Sequence, residues 1–152
     1  MARERDVRSA IQAAMMASNA FDAVWLSGLP EDYGKGVSNL SAAAIEPVST
    51  AFSAGWDNVP DGAVVFAAKL RVTLLARNPD PQLRDETVEQ LLDFLCDAVN
   101  GQNLVPGFTV PQKAMVGPWL WQPAQAPERR IQATVNYLYM LTSGWDSFDT
   151  SE

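Results

Sequence analysis

Two long segments in which apolar side chains recur at every second position constrain the fold of this chain most. In the first, Val64–Leu74, the alternate positions include Lys69, Arg71 and Thr73. In the second, Ile131–Leu141, the same period recurs, and the alternate positions are partly apolar as well. Because successive side chains of a strand point to opposite faces, this period predicts two β-strands that each bury one face.

An amphipathic helix is predicted directly after the first of these strands. The sequence Asn-Pro-Asp-Pro at 78–81 stops the strand and offers Asp80 as the helix N-cap, with Pro81 at the first helical position. Asn100 and Gly101 predict its end. The predicted apolar stripe of this helix consists of Leu83, Val88, Leu91, Leu92, Leu95 and Val99.

The N-terminal third of the chain predicts a second helix and a further strand. Apolar residues at steps of three and four favour one amphipathic helix from Arg3 to Trp25, followed by a loop over Leu29–Gly36. The segment Leu40–Val48 is ambiguous between helix and strand, and Pro47 favours an edge strand. A turn is expected at Asn58–Gly62, where Pro and Gly occur together.

The segment 102–128 is predicted to be a long extended excursion, because its five prolines and two glycines disfavour a helix. Within it, Met115–Trp121 is expected to form a short strand with Trp119 and Trp121 on the same side. An acidic tail follows at 143–152 and carries two aromatic residues, Trp145 and Phe148. The 152 residues are therefore organised as one domain over 1–152, with an α+β fold.

Composition excludes much of enzyme chemistry. The chain has no histidine and one cysteine, Cys96, so Cys/His metal sites, histidine-assisted nucleophiles and an internal disulfide are ruled out. The acidic residues Asp85, Glu86 and Glu89 are sufficiently explained by the positive N-terminal end of the predicted helix. We therefore expect no catalytic residue, no bound metal and no cofactor, and a half-buried cysteine without a reactive role.

Charge and hydropathy indicate which environments suit the chain. Eleven basic and 18 acidic residues give a formal net charge of −7, which disfavours sequence-independent DNA binding, since that binding depends on basic residues replacing counterions. The N-terminus lacks the pattern of a signal peptide, and no apolar run is long enough to span a bilayer. We expect a soluble protein that is intracellular when synthesised.

The basic residues of the two alternating strands form a candidate interface. Lys69, Arg71 and Arg77 project from one face of one strand, and Arg129 and Arg130 open the other. If these strands are neighbours, a positive stripe results, which would pair with an acidic patch of an adjacent subunit or remain a polar face open to water. These two interpretations stay open, and nucleic-acid binding is the least favoured.

Tryptophan provides a second candidate interface. Five tryptophans are many for this length, and Trp119, Trp121 and Trp145 fall in surroundings where a monomer has difficulty burying them. Because tryptophan is enriched at the centres of protein interfaces, these residues, together with Phe148, favour a chain that assembles. The alternative is that the chain folds these rings into its own core.

The order and lengths of these elements resemble the tail-terminator, or tail-completion, proteins of long-tailed bacteriophages. The likeness is carried by the opening helix and by Leu40–Ser53, Ala63–Gly101 and Ile131–Leu141. It implies an α+β fold in which a small mixed or antiparallel sheet is covered on one face by two amphipathic helices. It also implies a sixfold ring that ends tail-tube polymerisation and gives the tail its surface for joining the head.

The resemblance further implies partners and a location. The partners are other copies of the chain in a ring, the tail tube protein and a head-side connector protein, and there is no membrane partner. Double-stranded DNA would pass through an acidic lumen without specific binding, because fixed negative charge repels phosphates. The protein would be assembled in the host cytoplasm and reside in the virion, in the tail at the head-tail junction.

Two other functions remain as alternatives to a tail terminator. A head-side connector, or head-completion protein, also needs a ring without catalysis, although the two alternating strands argue for a sheet rather than a purely helical connector. A small acidic module would instead hold a ligand or peptide in a groove lined by Trp119 and Trp121. An enzyme of another kind has only the acidic residues in its favour.

Overall fold

Five strands form one mixed sheet, and two helices lie on one of its faces. The computed structural model describes residues 4–33, 35–52, 64–100 and 112–141. In chain order the elements are α1 (Glu4–Ala17), β1 (Ala23–Trp25), β2 (Leu40–Phe52), β3 (Val64–Arg77), α2 (Pro81–Val99), β4 (Gln112–Trp121) and β5 (Glu128–Leu141). The α+β fold class predicted from the sequence is confirmed.

The strand order across the sheet is β1-β2-β3-β5-β4. β1 runs parallel to β2, and every other pairing is antiparallel. The two alternating segments of the sequence are thus neighbours at the centre of the sheet, with Val72 opposite Ala133. Their predicted strands are confirmed, and β5 begins three residues earlier than expected, at Glu128.

The hydrophobic core lies between the helices and the sheet. Apolar side chains at alternate positions of β3 and β5 are buried on this face, as the period of two predicts. α1 contributes Val7, Ile11 and Met15, one turn apart and fully buried. The α2 residues buried in the same core are Val88, Leu91, Leu92, Leu95 and Val99.

The bounds of α2 agree with those predicted from the sequence, but one residue of its predicted apolar stripe is not buried. Oδ1 of the N-cap Asp80 accepts a hydrogen bond from the amide of Gln82 at 2.9 Å, and Pro81 occupies the first turn. Leu83, expected in the buried stripe, is 50% exposed. It lies about 100° away from Arg84, which is buried, so the first turn points Leu83 away from the sheet.

The helix predicted from Arg3 to Trp25 is longer than the helix in the structure, α1. α1 ends at Ala17, where the Ser18 hydroxyl donates to the carbonyl of Met15 at 2.6 Å and Asn19 adopts a left-handed φ of 60°. Residues Ala23–Trp25 instead pair with β2 as strand β1. Side chains of α1 hold this strand in place, because Gln12 Nε2 donates to the carbonyl of Val24 at 2.6 Å.

β2 and β4 are the strands that carry prolines. The strand predicted from Leu40 is confirmed and extends to Phe52, with a register shift after Pro47. It is not the edge strand that Pro47 led us to expect, because β1 pairs with it at Ala42–Ala44, before the proline. β4 is longer than the predicted short strand and has an irregularity between Val116 and Trp119. Gly117 lies at this irregularity, where an added Cβ would come within 3.2 Å of the side-chain nitrogen Nδ2 of Asn136.

Several expectations fall on residues outside the described ranges. These are the turn at Asn58–Gly62, the first part of the excursion over 102–128, Gly101 at the end of α2, and the tail 143–152 with Trp145 and Phe148. The rest of the excursion contains β4 and the turn that leads into β5. No helix in the described ranges is both long enough and apolar enough to cross a bilayer.

Candidate assembly surfaces

The two faces of the sheet are covered differently. The helices cover the face that carries the core, and the opposite face carries the alternate positions of the strands. Part of this opposite face lies beneath the β1–β2 loop, described over residues 26–33 and 35–39, whose Tyr33 contacts Trp25 and the start of β5. We call the remainder the open face, which comprises Glu46, Lys69, Arg71, Met115, Leu120, Gln132, Thr134 and Asn136.

A polar cluster attaches the β1–β2 loop to the sheet. The Tyr33 hydroxyl donates to the carboxylate of Glu128, with its oxygen 2.7 Å from Oε1 and 2.8 Å from Oε2. Arg130 donates from Nε to Glu128 at 2.6 Å and from Nη2 to the Tyr33 hydroxyl oxygen at 2.5 Å. Arg77 Nη2 lies 3.8 Å from the same carboxylate. The Tyr33 ring meets Trp25 edge-on, with the centroids 6.2 Å apart.

The cluster shifts the pKa values of two of its members. Burial, and then the hydrogen bond to Glu128, raises the pKa of Tyr33. Burial alone would lower the pKa of Arg130, but its hydrogen bonds to Glu128 and Tyr33 outweigh burial and raise it. The phenol and the guanidinium therefore keep their protons over the physiological range, and the buried Glu128 carboxylate retains its partners.

The structure places the five residues of the predicted basic stripe in three different surroundings. Lys69 and Arg71 are exposed on the open face. Arg77 and Arg130 share that side of the sheet, but both interact with Glu128 and are not displayed toward solvent as free charges. The assignment of Arg129 to the same stripe is wrong. Adjacent residues of a strand point to opposite faces, so Arg129 lies on the helix side of the sheet.

The pair Trp119 and Trp121 lies on the same side of β4, as predicted, opposite Ala133 and Ile131 of β5. Trp121 packs against the core, and the guanidinium carbon of Arg129 lies 4.8 Å from the centroid of its ring. Trp119 is 52% exposed. The sequence did not distinguish these two rings, whereas the structure partly buries Trp121 against the core and leaves Trp119 more than half exposed.

Two apolar residues that the sequence analysis did not single out lie on the opposite side of β4. Met115 is 64% exposed and Leu120 is 65% exposed, and both belong to the open face. The pattern of the proline-rich segment gave no register, because the irregularity after Val116 changes which residues point to which face. Tyr33 and Glu128 were also missed, since 95 positions separate them in the sequence.

Two depressions lie beside the polar cluster. The smaller, of about 110 Å³, is lined by glutamines, a proline, Glu128 and Arg130, and it is below the usual size of a ligand site. The larger, of about 410 Å³, is shallow and open, and it is lined by Glu31, Asp32, Tyr33, Lys35, Gly36 and Arg77. The described residues contain no group of three potential metal ligands. Burial, and then the nearby Asp93 and Asp97, raises the pKa of the half-buried Cys96, so this thiol keeps its proton.

Comparisons with known proteins give a similarity of fold. No protein-family model matches the chain, and no curated protein matches it in sequence. Among solved structures, the chain is similar to one chain from the virion of a native gene transfer agent particle, with a TM-score of 0.57 and 11% identity. The match covers 88% of this chain and 94% of that chain. At this identity, the likeness establishes a shared fold.

Proposed function

We propose that this chain is a structural virion protein that forms a ring, caps the tail tube, stops its polymerisation and provides the surface for joining the head. The observation that carries the proposal is the fold shared with a chain from the virion of a gene transfer agent particle, over 94% of that chain. The phage-type element order inferred from the sequence supports the same function independently.

The exposed apolar side chains of β4 support assembly. This edge strand carries Trp119 on one side and Met115 and Leu120 on the other, all more than half exposed. An edge strand with apolar side chains on both sides is a poor surface for a protein that acts alone, because it invites contacts with other chains. In a ring, a neighbouring subunit or the tail tube covers these side chains.

The proposed function is mechanical, and the ring has a different partner on each of its two sides. The ring consists of copies of the 1–152 domain, and it contacts the tail tube protein on one side and the head-side connector protein on the other. With a formal charge of −7 for each chain, an acidic lumen lets double-stranded DNA pass without binding it. Of the contacts expected from the sequence, Lys69, Arg71 and Trp119 are exposed and remain candidates. Trp145 and Phe148, outside the described ranges, remain candidates from the sequence.

Deleting the gene for this protein, so that particles assemble without it, tests this function. If the chain terminates the tail, particles without it contain tail tubes of uncontrolled length that fail to join heads, and supplied protein restores the joining. Tails of normal length on particles that still fail to join would instead indicate a head-side connector. Normal, infectious particles would contradict both functions and favour a small binding module.

A further inference from the structure

We propose that the open face of one subunit binds the outer face of α2 of a second copy of this chain. The inference rests on the proposed ring and specifies which surfaces meet in it. The two surfaces have opposite charge, and each also exposes apolar side chains.

The open face supplies the positive charge. Lys69 and Arg71 are exposed on β3, and Glu46 lies opposite Arg71 on β2. From β3 toward the β4 edge, the described residues of this face include no acidic side chain. Met115 lies opposite Asn136, which in turn lies opposite Lys69, so an ammonium and an exposed thioether share one row across three strands. Such a row measures about 10 Å at the usual strand spacing.

The outer face of α2 supplies the negative charge. Four exposed carboxylates follow one another at steps of three and four residues, which places them in one line along the helix; we call them the acidic stripe, and they are Glu86, Glu89, Asp93 and Asp97. The one basic residue of α2 is Arg84, which is buried and bonded through Nε to Asp85 at 2.9 Å. Like charges at this spacing destabilise a helix, so a basic partner surface would stabilise it.

Apolar side chains accompany the charges on both surfaces. Beside the acidic stripe, Leu83 is 50% exposed and Phe94 is 37% exposed. On the open face, Met115 and Leu120 are exposed to a greater extent. Contact between these pairs would remove apolar area from water, while the charges fix the register of the two subunits.

The positions of the two surfaces suit a head-to-tail contact between subunits. α2 packs its buried side against the sheet, so its outer side and the open face lie on opposite sides of the domain. Contact between two different surfaces of the same chain is head-to-tail, and it produces a closed ring when the rotation between subunits divides a full turn. Each subunit then offers one basic and one acidic surface to its two neighbours.

Charge reversal in the full-length protein tests this pairing. One variant carries Lys69→Glu with Arg71→Glu, a second carries Glu89→Lys with Asp93→Lys, and a third carries all four changes. Native mass spectrometry over a concentration series measures the concentration at which half of the chains are in rings. We expect each two-site variant to raise it by about tenfold or more, because like charges then face each other. The four-site variant should recover most of this loss.

A matched control carries Glu31→Lys with Asp32→Lys in the β1–β2 loop, and circular dichroism verifies that every variant is folded. The control is expected to form rings as the wild type does. Wild-type rings that persist in both two-site variants would overturn the pairing while leaving the ring intact. Two-site variants that lose rings without recovery in the four-site variant would also overturn it. A wild type that stays monomeric throughout would contradict the proposed ring itself.

Discussion

The Tyr33 hydroxyl oxygen lies 2.7 Å from Oε1 of Glu128, and this hydrogen bond joins the β1–β2 loop to the first residue of β5. Glu128 is 6% exposed, and the chain surrounds its carboxylate with a phenol and two guanidinium groups. A buried carboxylate is tolerated when it is paired and hydrogen-bonded in this way. The cluster therefore fixes the loop over the sheet face opposite the helices, near the start of β5.

Replacing Tyr33 by Phe is expected to loosen this loop. The change removes the hydrogen bond to Glu128 and costs about 1 kcal/mol of unfolding free energy. Hydrogen exchange should accelerate more at the amides of residues 26–33 and 35–39 than in α2, where any acceleration reports the loss of global stability. Equal protection of the loop in the variant and the wild type would mean that the phenol does not hold the loop in place.

The free energy of unfolding is expected to fall as the pH rises above about 10. The pKa values of Tyr33 and Tyr137 are raised above the ordinary 10.0, mainly by burial. Below pH 10 both states hold the phenolic protons, so the contribution is constant. Above it, the unfolded chain releases them before the folded chain does, and the folded state loses stability. Chemical denaturation at several pH values measures this slope, which should be shallower in Tyr137→Phe.

Truncating two leucines of α2 should lower the unfolding free energy by very different amounts. Leu95 is fully buried in the core, and Leu95→Ala is expected to lower the unfolding free energy by about 2–5 kcal/mol. Leu83→Ala is the matched control, because this side chain is half exposed, and its effect should stay within about 0.5 kcal/mol. Urea denaturation of both variants compares them. Similar losses would place Leu83 in the core, as the sequence pattern alone suggested.

The two tryptophans of β4 should also differ. Trp121→Ala removes a ring that packs against the core and against Arg129, so we expect a less stable monomer. Trp119→Ala removes an exposed ring and should leave the monomer as stable as the wild type while weakening assembly. Thermal unfolding and native mass, measured on the same samples, separate the effects. Normal rings in Trp119→Ala would contradict a contact role for this side chain.

Most of the fold could be predicted from two features of the sequence, the alternation of apolar residues in strands and the capping residues of helix α2. The period of two in β3 and β5 predicted both the strands and their buried face, and the Asp80 and Pro81 pair predicted the start of α2. These signals are local, so they do not depend on which elements become neighbours. The strand β1 was missed because its three residues are too few for a period and follow a strong helical pattern directly.

The candidate surfaces were less predictable. Lys69 and Arg71 were assigned to one strand face correctly, whereas Arg129 required knowledge of where β5 begins. The pairing of Tyr33 with Glu128 depends on a loop that folds back across the sheet, and no local pattern encodes that contact. The exposure of Met115 and Leu120 could not be predicted, because it depends on the register between β4 and β5, which the irregularity in β4 changes.

Native mass spectrometry of the wild-type chain over a wide concentration range tests the central claim most directly, because a closed ring has one defined number of subunits. The tail-terminator function predicts a single discrete species that corresponds to a hexamer and shows an axial hole in electron micrographs. A discrete ring of another number would favour the head-side connector. A strict monomer at every concentration, with or without tail tubes, would contradict the account.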